Sequence, residues 1–192
     1  MHRSRSTTFS FFAFTALVTL TGCPSEPAAP TSGSTSSGGG GSSGFTCKGK
    51  PEVGQPASTF SLASMNGTGK VGVEPGKVTL VDFWATWCGP CQKSFPKYQE
   101  LYVKYKSSGL EIAAVSVDGD DDKSKIPAFA KTYEAKFPVG WDEGHKIADC
   151  YHPPNMPSAY IVDKKGVIRF IHNGYKGDEE AKKLEEEIKS LL

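Results

Sequence analysis

This chain has almost no net charge: 22 lysines and arginines stand against 21 aspartates and glutamates over 192 residues, a formal charge of +1. Arg3 and Arg5 lie in a segment read below as removable, which leaves 20 basic residues and a balance near −1. There is thus no electrostatic reason to invoke nucleic acid as a partner. Cysteine is scarce, with five residues, and histidine scarcer, with four. One CxxC occurs and no HxxxH, so a structural zinc site lacks its second pair of ligands. Long apolar runs are missing too. The mostly apolar stretch Phe9 to Leu20 has 12 residues, short of the roughly 20 needed to span a bilayer. The glycine-rich run before Gly44 contains no lysine and opens no apolar helix pattern, which argues against a phosphate-binding loop. The acidic cluster Asp118, Asp120, Asp121 and Asp122 places Lys123 sixth and Phe129 twelfth, where a calcium-binding EF-hand loop needs Gly and Glu.

What is present is concentrated in Trp84-Ala85-Thr86-Trp87-Cys88-Gly89-Pro90-Cys91. It follows Val78-Thr79-Leu80-Val81-Asp82-Phe83, a β-branched and aromatic run that reads as a strand buried on both faces. A helix starting just after Cys88 puts that thiol at a helix N-terminus, where unpaired backbone N–H groups and the helix dipole favour a thiolate. Free cysteine titrates near about 8.5, and in such CxxC settings at about 7 or lower. Cys88 is therefore expected to be the nucleophile. Cys91, one helical turn further in and more shielded, is the expected resolving thiol.

Leu80-Val81-Asp82-Phe83-Trp84-Ala85 followed by Trp87-Cys88-Gly89-Pro90-Cys91 resembles the active site of the thioredoxin superfamily. Within it, the region from Phe45 to Leu192 resembles the TlpA/ResA-like membrane-anchored thiol-disulfide oxidoreductases. The resemblance implies an α/β thioredoxin fold, with a central mixed β-sheet flanked by helices, an N-terminal β-hairpin extension and an inserted helix and strand. The hairpin falls on Thr59-Phe60-Ser61-Leu62 and Val71-Gly72-Val73, between turns at Asn66-Gly67 and Pro75-Gly76. After the CxxC, Phe95, Tyr98, Leu101 or Tyr102, and Tyr105 form a core stripe at helical spacing, with Pro96 expected to kink the helix. Leu110 to Val117 reads as a second buried strand. Asp118 to Asp122 then read as the acidic first turn of a helix running to about Lys136, with Ile126, Phe129 and Tyr133 facing the core. Phe137-Pro138-Val139 follows as a short strand. Strands at Tyr160 to Val162 and Gly166 to His172 precede a terminal helix capped by Asp178, with Ala181, Leu184, Ile188 and Leu191 on one face.

Site residues are carried over from the superfamily one by one. The proline matching Pro157 is cis there and faces the CxxC, and the backbone of Met156 would pair with an incoming substrate strand. Trp87, Gly89 and Pro90 would form the rest of the substrate surface. Asp82 is a carboxylate in an otherwise apolar strand, costly unless it has a function or a partner. Either its side chain reaches solvent at the strand's edge, or, as the resemblance implies, it is buried and exchanges a proton with the resolving cysteine. Burial would raise its pKa. Ser94 departs from the pattern: many cytochrome-maturation members of this branch carry Glu there and Asn at position 82. The site is thus more similar to a general thioredoxin.

The first 22 residues read as a secretory signal, with a basic start at His2, Arg3 and Arg5 and an apolar core. Leu20-Thr21-Gly22-Cys23 resembles the lipobox of bacterial lipoproteins, which implies cleavage before Cys23 and acylation of that residue. Each buried CH₂ of an acyl chain contributes about 0.8 kcal/mol to anchoring. Residues 23–44 would be the lipidated cysteine and a Pro/Ser/Gly linker with little to bury, spanning roughly 25 Å as a flexible coil. Residues 45–192 would form the thioredoxin-like domain. With Cys23 acylated and Cys88 paired with Cys91, Cys47 and Cys150 remain, either joined in a structural disulfide or left as separate thiols. A disulfide would close a loop of about 100 residues, worth up to about 4.7 kcal/mol in the chain-entropy picture. His145 and His152 beside Cys150 offer a metal only three groups from one loop, without a fourth ligand.

The expected activity is extracytoplasmic thiol-disulfide exchange, reducing protein disulfides through the Cys88/Cys91 dithiol with no cofactor and no metal. The family implies a membrane dithiol-disulfide transporter as electron donor, a lipid-anchored monomer on the periplasmic side, and protein thiols and disulfides as substrates. Two alternatives use the same fold. A peroxiredoxin-like peroxidase would need a peroxidatic cysteine in Thr-x-x-Cys with an activating Arg, whereas Cys88 lies two residues after Thr86. A copper-site assembly protein would use CxxxC and a distal His.

Overall fold

The structure, a computed structural model, describes residues 44–192; the expected signal, the lipobox-like segment and most of the expected linker lie outside the described residues. Two short strands come first, β1 (Ser61–Ala63) and β2 (Lys70–Gly72), paired antiparallel with Leu62 opposite Val71. β1 is one residue shorter than the apolar piece that announced it, and β2 is displaced by one residue from its own. The intervening Asn66 does more than turn the chain. Its side-chain amide donates to the carbonyls of Ala135 and Phe137, both at 3.0 Å, and its oxygen accepts from the Val139 N–H at 3.3 Å. The hairpin tip is thereby fastened to the insertion.

The core sheet is built on β3 (Val78–Trp84), every residue of which is buried. Helix α1 (Gly89–Tyr105) leaves its end, passes through Pro96 without breaking, and closes in a 3₁₀ turn at Lys106–Ser108. Next come β4 (Leu110–Ser116), α2 (Ile126–Thr132), β5 (Val139–Trp141), α3 (Ala148–Tyr151), β6 (Ser158–Val162), β7 (Ile168–Asn173) and α4 (Asp178–Leu191). The strand order is β5-β4-β3-β6-β7, with β3, β4 and β5 parallel and β6 and β7 antiparallel to their neighbours. Period-2 alternation along β3 divides the core into two layers. Val78, Leu80 and Trp84 pack under α1, α2 and α4 with Phe95, Phe129, Leu184 and Ile188. Val81 and Phe83 face the hairpin and α3, against Phe60, Val71 and Tyr151.

Three expectations need correction. The acidic run does not open a helix: Asp118 to Asp122 form a loop, and α2 begins only at Ile126. Pro127, in its first turn, has no N–H to lose there, while Glu134, at φ +49°, lies beyond its end. The following strand is Val139–Trp141, not Phe137 to Val139, because Pro138 has no N–H for a ladder and Phe137 is buried in the core. Gly177, at φ +99°, precedes α4 as its cap; Asp178 sits inside the first turn with Glu179 and Glu180, where the three acids oppose the helix dipole. Helix α3 was not anticipated. Its four residues are capped from upstream by Asp142, whose carboxylate accepts from the N–H groups of Ile147 and Ala148 at 2.8–3.0 Å.

Candidate functional site

Cys88 is the N-cap of α1, with extended backbone at φ −81° and ψ 106°. Its sulfur accepts the Cys91 N–H at 3.2 Å, filling one of the donors a helix start leaves open. The two cysteines are joined in a disulfide with Cα atoms 5.3 Å apart. The structure therefore holds the oxidised form. Cys88 is 5% exposed and Cys91 fully buried, while Trp87 beside them is 60% exposed. Gly89 and Pro90 are exposed as well. One rim of the disulfide is thus accessible, and that rim belongs to Cys88.

Across from it, Met156-Pro157 is a cis peptide bond immediately before β6. The pairing of Phe83 with Ser158 sets this bond beside the end of β3 from which the CxxC emerges. Pro157 is buried and Met156 partly so. The Pro157 carbonyl accepts from the Gly174 N–H at 2.7 Å, which ties the bend to the end of β7.

Asp82 lies on the α1 side of β3, in step with Leu80 and Trp84. It has no exposed surface, so the solvent-facing alternative does not hold. Its neighbours across the sheet are Ala114 on β4 and Ala159 on β6, neither of which can pair with a carboxylate. The Tyr98 hydroxyl donates to its Oδ1 at 3.2 Å, and Oδ2 has no partner among the described residues. Burial pushes the Asp82 carboxyl well above the ordinary carboxylate range, opposed by the hydrogen bond from Tyr98. Burial likewise raises the Tyr98 phenol, with the nearby Asp82 charge adding to the effect. Ser94, fully buried one turn before Tyr98, donates to the Cys91 carbonyl at 3.2 Å.

Two residues of this site were read from sequence only as structure. Tyr98 was part of a core stripe. Asp118 was part of an acidic turn, yet it is 1% exposed and holds the segment leading into the CxxC. Its carboxylate accepts the Thr86 N–H at 3.0 and 3.1 Å, the Thr86 hydroxyl at 2.6 Å and the Ser116 hydroxyl at 2.6 Å. The signal for Tyr98 was its place seven residues after Cys91, on the same helix face, above a buried acid. For Asp118 the sequence offered none, because Thr86 lies 32 residues away.

Cys47 and Cys150 are joined by a disulfide with Cα atoms 5.7 Å apart, linking the start of the described chain to α3. Cys150 is thereby withdrawn from any metal site with His145 and His152. Arg169, the one arginine among the described residues, pairs with Asp163 at the opposite end of β6 from Pro157. Among the described residues no guanidinium therefore stands beside Cys88, as a peroxidatic cysteine would need.

A CxxC disulfide at a helix N-terminus, opposite a cis-proline on a mixed five-stranded sheet, defines a thioredoxin-fold oxidoreductase. The comparisons agree. The model of the AhpC/TSA family matches residues 53–171. The thiol-disulfide oxidoreductase ResA of Bacillus thuringiensis subsp. konkukian is 37% identical over 150 residues, covering 77% of this chain and 83% of that one. Among solved structures, a Chlorobium tepidum protein described as a thiol:disulfide interchange protein DsbE is 30% identical, with a TM-score of 0.66 over 73% of this chain and 98% of that one. StoA from Bacillus subtilis is 25% identical, with a TM-score of 0.56 over 69% and 97%. The chain belongs to the AhpC/TSA family of thioredoxin-like proteins and is a thiol-disulfide oxidoreductase acting on protein thiols.

Proposed function

We propose that this oxidoreductase works as an extracytoplasmic, membrane-anchored reductant of protein disulfides. The observation that carries the reading is Cys88 at the N-cap of α1 with the Cys91 N–H aimed at its sulfur, followed by the Gly89-Pro90 pair that resembles thioredoxin. In the reduced protein, that N–H and the helix start stabilise a Cys88 thiolate. The thiolate attacks one sulfur of a target disulfide, forming a mixed disulfide and releasing the first target thiolate, which takes a proton from solvent. Cys91 then gives its proton to Asp82 and attacks Cys88, closing the Cys88–Cys91 disulfide and releasing the second target thiol. Two electrons pass to the target, and no cofactor is required beyond the dithiol. Trp87, Gly89, Pro90, Met156 and Pro157 form the surface on which the target strand lies, with the Met156 backbone available to extend it as an added strand.

In this reading residues 1–22 are a lipoprotein signal, Cys23 bears the lipid, residues 23–44 are the tether and residues 45–192 the catalytic domain. Among the described residues no helix is long and apolar enough to cross a membrane; the lipobox-like Leu20-Thr21-Gly22-Cys23 supports the lipid anchor. A membrane dithiol-disulfide transporter supplies the electrons, and the domain acts as a monomer. The Cys91→Ser protein, reduced and mixed with a disulfide-bearing polypeptide such as insulin, tests the chemistry. It should accumulate a mixed disulfide through Cys88, seen by mass spectrometry. Trapping by a Cys88→Ser protein, with none by Cys91→Ser, would reverse the assignment of the two thiols.

A further inference from the structure

Ser94, the buried polar side chain one turn after Cys91, is turned to the Cys91 carbonyl, and the buried acid of the site comes from β3, with Tyr98 on the second turn after Cys91 as its partner. We propose that Tyr98 is the positioning residue of the resolving step: its hydroxyl holds Oδ1 of Asp82, so that Oδ2 takes the proton of Cys91. The inference rests on the proton-transfer role given to Asp82 above. It stands on three features of the geometry. Asp82 and Tyr98 are both buried, at 0% and 2% exposure, so neither can be satisfied by bulk water without a partner. The Tyr98 hydroxyl is the one donor that reaches the carboxyl among the described residues, at 3.2 Å. Oδ2 is left without a partner, on the face of β3 that shares a packed cluster with Cys91. A buried polar atom without a partner is costly, and in a native site it asks for a chemical reason.

No other side-chain donor among the described residues bonds this carboxyl; Trp84 Nε1, two residues along on the same face of β3, is itself buried without a partner. The residues beside Asp82 on β4 and β6 are Ala114 and Ala159. His172, paired with Ala159 on β7, has both ring nitrogens occupied by Glu180 and Glu187 of α4, at 2.5 Å each. On α1 the facing groups are Cys91, Ser94 and Tyr98, and Tyr175, in the loop after β7, lies near the Tyr98 phenol. No lysine or arginine of the described residues bonds this carboxyl, so Tyr98 alone offsets the desolvation of its charged form.

The proton balance is simple. The Cys91 thiol and the Asp82 carboxylate become a Cys91 thiolate and a protonated Asp82. The thiolate attacks the Cys88 sulfur of the mixed disulfide, and the departing target thiolate is protonated from Asp82 or from solvent. Tyr98 keeps its own proton throughout and favours the carboxylate that begins the step.

Tyr98→Phe removes this single hydrogen bond with little change of shape. The test is the single-turnover oxidation of reduced protein by a small aromatic disulfide and by insulin, followed by tryptophan fluorescence from pH 4 to 10. Removing a donor to a charged acceptor is expected to move the acidic limb of the rate profile upward by about one pH unit, about tenfold slower on that limb. The alkaline rate should be unchanged. In an Asp82→Asn background the same substitution should not move the profile. A uniform slowing at every pH, an unmoved limb, or an equal shift in the Asp82→Asn background would each overturn the proposal. Should Tyr98→Phe not fold, Tyr98→Met is measured against the same criteria. A wild-type protein that resolves mixed disulfides with a profile identical to Asp82→Asn would instead refute the role of Asp82, a separate failure that the same data reveal.

Discussion

Replacing Asp118 with alanine should loosen the segment that delivers Cys88. The carboxylate accepts the Thr86 N–H and the hydroxyls of Thr86 and Ser116, at 2.6–3.1 Å, in an almost fully buried setting. Hydrogen bonds to charged groups contribute roughly 1.5–3 kcal/mol each, but three donors on one acceptor are coupled and do not add. Two of them are hydroxyls that can rotate towards other acceptors. The Thr86 N–H cannot, and its stranding alone costs about 1–3 kcal/mol. A loss of about 3 kcal/mol follows for Asp118→Ala, roughly 6–12 °C in Tm for a domain of this size. Thr86→Val, which keeps the N–H, should cost about 1 kcal/mol. Urea denaturation of the oxidised protein, with m unchanged, is the assay. The two substitutions combined should cost less than their sum, since they remove the same bond. A cost below about 1 kcal/mol for Asp118→Ala, or strict additivity, would refute the view that this carboxylate organises the approach to the dithiol.

Asp82→Asn should stabilise the fold in a pH-dependent way. Because burial raises the folded-state pKa of Asp82, the wild-type protein loses stability as pH climbs from the unfolded value, about 3.9, through the folded one. Asparagine has no such loss, so its advantage should be small at pH 4 and grow towards neutrality; an advantage equal at pH 4 and pH 8 by urea midpoint would contradict the burial. Gly72→Ala should destabilise the hairpin by about 1–3 kcal/mol, because a Cβ there would meet the Phe60 carbonyl oxygen at 2.2 Å and backbone must shift. Wild-type thermal stability in that variant would show that the strand has room to move.

How far the chain could be read in advance depended on the range of the interactions. The buried strand Val78–Trp84, the helix after Cys88 and the bend at Pro157 are written in short stretches, through β-branched runs and a motif whose residues are neighbours. The aromatic stripe of α1 was legible by period alone, and Phe95 indeed meets Trp84 at 4.6 Å and Phe129 at 5.0 Å. Asp118 defeated the reading because an acidic run beside a lysine is the ordinary sign of a helix start, and its true partner comes from the end of β3. The short α3 has too few residues for any periodicity, and its cap, Asp142, lies outside it. Tyr98 was seen as apolar bulk. Only the register of α1 over β3 turns its hydroxyl into a functional group.

The most direct measurement is the reduction potential of the Cys88/Cys91 couple in the purified protein, equilibrated with thiol-disulfide buffers and quantified by alkylation and mass spectrometry. The account predicts a value below about −220 mV, towards the roughly −270 mV of thioredoxin. A value near about −120 mV, that of a strong disulfide donor, would contradict it and reverse the direction of electron flow.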